Sequence, residues 1–167
     1  MALVIEDGSG VVGANSYGNV ADARTYAAAR GVTLSVVDAD LEVQMILAMD
    51  YLEALAFVGR VVSFTQALSW PRKLVQFDID TPFPDDEIPP QLILAQYQLC
   101  IEQANGINLQ PTVDHSQGGF ITEEKVDVLL TKYSEQVGTT SEPMMPKVDA
   151  LLRGIILPIP MLRTVRM

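Results

Sequence analysis

The sequence predicts a mainly α fold: a small bundle of about four helices with long loops, a short β segment or hairpin, and an extended C-terminal tail. Three observations carry this. Leu41, Met45, Ala48, Leu52 and Leu55 recur at spacings of four and three, and two adjacent apolar rows run through residues 92–104. Asn19 and Gly31 bracket a further helical stretch as N-terminal cap and C-terminal stop. Prolines and glycines interrupt the intervening segments, placing loop excursions at about 59–88 and 106–142.

Residues 3–5 read as a short β segment, followed by a glycine-rich turn through Gly13. Gly8-Ser9-Gly10-Val11-Val12-Gly13 matches G-x-G-x-x-G. That motif works only where the turn opens directly into a helix whose N-terminus meets a pyrophosphate. Here Ala14-Asn15-Ser16-Tyr17-Gly18 intervenes and no parallel βαβ unit follows, so the turn reads as a surface turn and no cofactor is expected.

The first helix is predicted over Val20–Arg30, with Asp22 at its positive end. The second runs from Asp38 or Ala39 to Leu55. Val43, Ile46, Leu47 and Met49 lie outside its main stripe, which makes it apolar on more than one side, as in a helix central to a core or set against another subunit. Phe64 to Trp70 reads as a short helix that Pro71 ends. Asp78 to Glu87 is an acidic, proline-punctuated loop. It lacks the mid-loop glycine and ligand spacing of a calcium loop, so no metal is expected. Ile88-Pro89-Pro90 leads into a third helix, Gln91–Ala104, with Gly106 as its exit. Asn108–Gln117 is a polar loop. Alternation at Val126, Val128 and Leu130 favours a strand in 121–134. Ser141-Glu142-Pro143 opens a fourth, short helix containing Val148, Leu151 and Leu152. Arg153 and Gly154 end it, and 155–167 forms the tail.

Composition narrows the function classes. The 167 residues suffice for one folded domain, 1–167, without metal or disulfide staples. No apolar run approaches the ~20 residues of a membrane span, and the N-terminus lacks the pattern of a signal peptide. A soluble, cytoplasm-made protein is expected. Cys100 is the only cysteine and falls on an apolar helical pattern, so it reads as a small core residue. The only histidine, His115, sits in the polar loop. With no nucleophile–base pair, paired metal ligands or phosphate loop, no enzyme is expected. The formal charge is −10, from 21 acidic and 11 basic side chains. After Asp149 the chain carries Arg153, Arg163 and Arg166 and no acid, a basic tail suited to an acidic partner surface.

A set of ordered segments spans nearly the whole chain: Val4-Ile5-Glu6-Asp7-Gly8, Ala14-Asn15-Ser16-Tyr17, Ala21-Asp22-Ala23, Ile46-Leu47-Ala48-Met49-Asp50-Tyr51-Leu52, Gln66-Ala67-Leu68-Ser69-Trp70-Pro71-Arg72, Ile88-Pro89, Glu123-Glu124-Lys125-Val126 and Val148-Asp149-Ala150-Leu151-Leu152. Together they resemble a tailed-phage head–tail connector (adaptor, or head-completion) family that is often labelled DnaT-like single-stranded-DNA-binding.

The connector side of the resemblance implies a structural virion protein in the neck, made in the host cytoplasm, forming a symmetric ring of about twelve copies. Its partners would be the portal protein, a stopper or tail-terminator protein, and genomic double-stranded DNA passing through without specific binding. Trp70 and Arg72 would anchor the central loop or an interface. Asp78, Asp80, Asp85, Asp86 and Glu87 would face the channel, and Arg153, Arg163 and Arg166 the portal or a neighbour. The other side implies a single-stranded-DNA-binding replication accessory protein, which needs cations and exposed aromatic platforms. The acidic balance and the apolar setting of Trp70 place the connector expectation first.

Overall fold

A computed structural model describes residues 2–78, 81–111, 123–126, 129–132 and 145–157. Four helices and three two-stranded antiparallel sheets appear in them, a mixed α/β arrangement rather than the mainly α one expected.

Helix α1, Val20–Ala28, starts where the sequence placed it. The Asn19 side chain accepts a hydrogen bond from the Asp22 N–H at 2.8 Å, satisfying a donor that the first turn leaves open. Gly31 follows its end with φ +73°. Helix α2, Asp38–Glu53, buries Leu41, Met45, Ala48, Met49 and Leu52 and leaves Val43 and Leu47 exposed. Helix α3, Pro90–Ala104, begins on a proline, whose missing N–H costs nothing in a first turn. Helix α4, Pro146–Leu152, buries Val148 and Leu152.

Helix α3 is the centre of the bundle and packs against α1, α2 and α4. Leu92, Ala95, Leu99 and Cys100 interlock there with the buried α2 stripe. Such close-packed burial is the main stabilising term of the fold.

The excursion expected at 59–88 carries two small sheets. Strands β1, Arg60–Val61, and β2, Arg72–Lys73, pair with Arg60 opposite Lys73 and Val61 opposite Arg72. Strands β3, Gln76–Asp78, and β4, Thr81–Pro82, pair with an irregularity between Gln76 and Asp78. No helix forms over 64–70, because side chains elsewhere claim this segment's backbone groups. Tyr17 Oη accepts from the Trp70 N–H at 3.1 Å, and a Glu53 carboxylate oxygen accepts from the Ser69 N–H at 2.8 Å. The strand expected within 121–134 appears as a hairpin of β5, Glu123–Val126, and β6, Leu129–Lys132. At the start of the tail, Val58 N–H donates to Ile155 O and Leu157 N–H to Ala56 O, which fastens the chain after α4 to the chain after α2.

One buried side chain joins these parts. Gln96 on α3 accepts from the N–H groups of Tyr17 and Gly18 at 3.1 and 3.0 Å, and donates to Ser16 Oγ at 2.9 Å and Met45 O at 3.2 Å. Its amide thereby ties the N-terminal segment and α2 to α3. Gly18 is required beside it, since a β-carbon there would collide with the Tyr97 ring. Gln96→Leu keeps the volume and leaves these groups unpaired in the core. It should lower stability by about 3 kcal/mol, read as a drop in the urea midpoint at unchanged m-value.

Candidate functional site

The chain between α2 and β3 is held by two polar devices. Tyr17 Oη donates to Glu53 Oε1 at 2.8 Å while accepting from the Trp70 N–H. Burial, with the Glu53 carboxylate alongside, pushes the Tyr17 phenol far above its usual range and keeps it a donor. Trp70 is thereby drawn into the core, fully buried, with Phe57 and Phe83 edge-on at 6.1 and 6.0 Å. Its ring has no surface to offer a ligand.

The second device is Arg72. Its guanidinium donates to the carbonyls of Val58 at 2.7 Å, Gly59 at 3.0 Å, Ser69 at 3.2 Å and Phe57 at 3.4 Å. Desolvation lowers its pKa, opposed by Tyr17 and Glu53. The planar donor set of arginine fits this task and a lysine ammonium does not. Gly59 completes the clamp with φ +74°; a β-carbon there would lie 2.6 Å from Lys73 O.

The opposite side of the same hairpin faces outward. Arg60 and Lys73 are directly opposed in the ladder, both exposed, on the face away from Arg72. The loop beyond β1 is a tight turn. Gln66 Oε1 accepts from the Ser63 N–H at 2.9 Å, and Gln66 Nε2 donates to Leu68 O at 2.7 Å and Pro71 O at 3.1 Å. This turn presents Phe64 with its ring fully exposed. Leu74 stands just beyond Lys73, 73% exposed and at φ +62°, a backbone region that disfavours leucine. Residues 54–77 contain Arg60, Arg72 and Lys73 and no acidic residue. A groove of about 200 Å³ separates this turn from the glycine turn, lined by Gly8, Gly10, Val62, Gln66 and Pro71 among others.

The glycine turn is already engaged. Glu6, 1% exposed, accepts from the N–H groups of Gly8, Gly10 and Val11 at 2.9, 2.8 and 2.8 Å. The donors that would cradle a phosphate therefore hold the chain's own carboxylate. No group of three metal-ligating side chains occurs among the described residues, nor does any helix long and apolar enough to cross a membrane.

Comparison with protein families matches the chain over residues 1–167 to the family described as "Putative DnaT-like ssDNA binding protein". The chain belongs to this DnaT-like family. No curated protein and no solved structure matches it.

The match overturns the connector expectation: the family is DnaT-like and single-strand-binding by description, and nothing in it supports a virion neck ring. The roles that rested on that ring lose their basis, namely the acidic channel lining and the portal-facing arginines. Asp85, Asp86 and Glu87 lie exposed on the loop after β4, and Asp78 lies on β3. Arg153 is exposed at the end of α4. Asp80, Arg163, Arg166 and His115 lie outside the described residues. Among the described residues the structure thus brings together Trp70 and Arg72, as supports of one hairpin, and sets Asp85, Asp86 and Glu87 side by side on a separate loop. Phe64, Arg60 and Lys73 were missed. The acid-free run from Ala54 to Phe77 in a chain of charge −10 was the signal for them.

Cys100 is fully buried on α3, and burial pushes its thiol up to about 12. It should resist iodoacetamide at pH 8 in the folded protein and react once urea unfolds the chain, as read by mass spectrometry. Arg72→Lys keeps the charge and loses the clamp. It should lower stability by about 2 kcal/mol and speed proteolytic cutting within residues 59–71.

Proposed function

We propose that this DnaT-like protein binds single-stranded DNA as an accessory of DNA replication. The family match over the whole chain carries the reading. Single-strand binding without sequence readout needs cations along the backbone and aromatic faces for bases. Net charge averages over the molecule, whereas a strand meets only the patch in front of it. On this chain the average is −10, and the run from 54 to 77 is +3.

The acidic remainder shapes the interaction. It repels nucleic acid outside the patch, which limits the number of phosphates engaged and keeps affinity modest. Duplex DNA, with one charge per about 1.7 Å of axis, suffers that repulsion more than a single strand does. Single strands are therefore the favoured ligand.

The test is an anisotropy titration with labelled single-stranded and duplex oligonucleotides across a series of salt concentrations. Single strands should bind more tightly than duplex. Affinity should fall with salt at a log–log slope of about −1.4 to −2.1, as expected for two or three neutralised phosphates. No binding at low salt would refute the reading.

A further inference from the structure

We infer that the outer face of the β1–β2 hairpin is the surface that contacts the strand. Phe64 serves as the base-stacking platform, and Arg60 and Lys73 as the phosphate contacts. This assignment rests on the single-strand reading and adds a site to it.

Three observations converge on this hairpin and its turn. Phe64 is fully exposed, although an aromatic ring is among the groups that gain most from burial. The turn that presents it is built, with Gln66 bonded to the backbone at Ser63, Leu68 and Pro71. The ring is therefore held outward by a structured loop. Arg60 and Lys73 are cross-strand neighbours, with β-carbons about 5 Å apart. Neither has an ion-pair partner among the described residues. Phe64 is four residues beyond Arg60, so its Cα lies within about 14 Å of that of Arg60 even if the chain between them is extended. Base and phosphate contacts to one short stretch of strand fit within that reach.

The other described cations are less suited. Arg24 is bonded to Asp38 at 2.7 Å and to Ser35 O, and Arg30 lies over the Tyr26 ring at 3.3 Å. Arg72 faces inward on its four carbonyls and acts as a positioning residue. Lys147 and Arg153 are exposed on α4 without an exposed aromatic ring of that element beside them. Among the residues whose side chains are described, the hairpin and its turn combine free charge with a bare aromatic face.

The geometry also explains a preference for unpaired strands. Bases within a duplex are already stacked and must be pulled out to meet a side-chain ring, whereas those of a single strand are available.

The experiment uses the full chain and a fluorescein-labelled single-stranded oligonucleotide, read by anisotropy across a salt series. Phe64→Ala should weaken binding between about 5- and 150-fold, the range for loss of one base–aromatic stack. Phe64→Trp should retain binding and show fluorescence quenching on strand addition, because the native Trp70 is buried away from the strand. Arg60→Gln with Lys73→Gln should weaken binding and flatten the log–log salt slope by about 1.4. All three positions are exposed, so unchanged circular dichroism is expected throughout. If the wild-type protein binds and Phe64→Ala and the double glutamine variant bind equally well, the site is wrong and the single-strand reading stands. If the wild-type protein does not bind, both are wrong. Loss in the double variant with Phe64→Ala unchanged would overturn the stacking role.

Discussion

The placement of the β1–β2 hairpin rests on one buried amide. Gln96 occupies the middle of α3, where apolar neighbours surround it and an unpaired amide would be costly. Both of its polar atoms are satisfied: Oε1 by the Tyr17 and Gly18 N–H groups of the N-terminal segment, and Nε2 by Ser16 Oγ of that segment together with Met45 O of α2. A residue that can be content in only one arrangement specifies that arrangement. Because Gln96 fixes the Tyr17 backbone, the Tyr17 phenol arrives beside Glu53 and Trp70. Because Trp70 is fixed, Arg72 two residues on meets the carbonyls of 57–59. The hairpin is thus anchored through a chain of hydrogen bonds that starts some twenty-five residues later in the sequence.

Much of the helical framework could be read from the residues alone. Asn19 caps α1 as its side chain dictates, the Leu41–Leu52 stripe is buried as its spacing requires, and the third helix starts at paired prolines. These are local signals, and a local signal survives folding when nothing distant competes with it. Residues 64–70 show the opposite case. Their composition allows a helix, yet Tyr17 and Glu53, remote in sequence, take the backbone donors of Ser69 and Trp70. No window-based pattern reports such a contest. The two-residue strands β1 and β2 are similarly invisible, since alternation cannot be recognised over two residues.

The candidate site was hidden by averaging and by rarity. Trp70 drew attention as the only tryptophan, but large aromatic side chains beside proline in an apolar setting go to the core, and this one did. Phe64 drew none, because nothing local distinguishes a phenylalanine that will be buried from one that will not. Net charge misled in the same way. A value of −10 excludes an extended cationic groove; it does not exclude a confined cationic patch, and the acid-free run from 54 to 77 leaves Arg60 and Lys73 outward as such a pair.

An inward and an outward division of labour within one hairpin follows from strand geometry. Side chains of successive residues point to opposite faces, so a strand that sends Arg72 inward must send Lys73 outward. The inward arginine is consumed by four carbonyls, which rigidifies the ladder that carries the outward pair. The Gln66-bonded turn does the same for Phe64. A platform whose groups are already ordered loses little side-chain and loop entropy when a ligand arrives, so fewer contacts suffice for measurable binding. That matters on an acidic protein, which has few cations to commit. On the proposed single-strand reading, preorganisation by inward hydrogen bonds would compensate for the small number of outward charges, with Arg72 making no contact to the strand itself but positioning the neighbours that do.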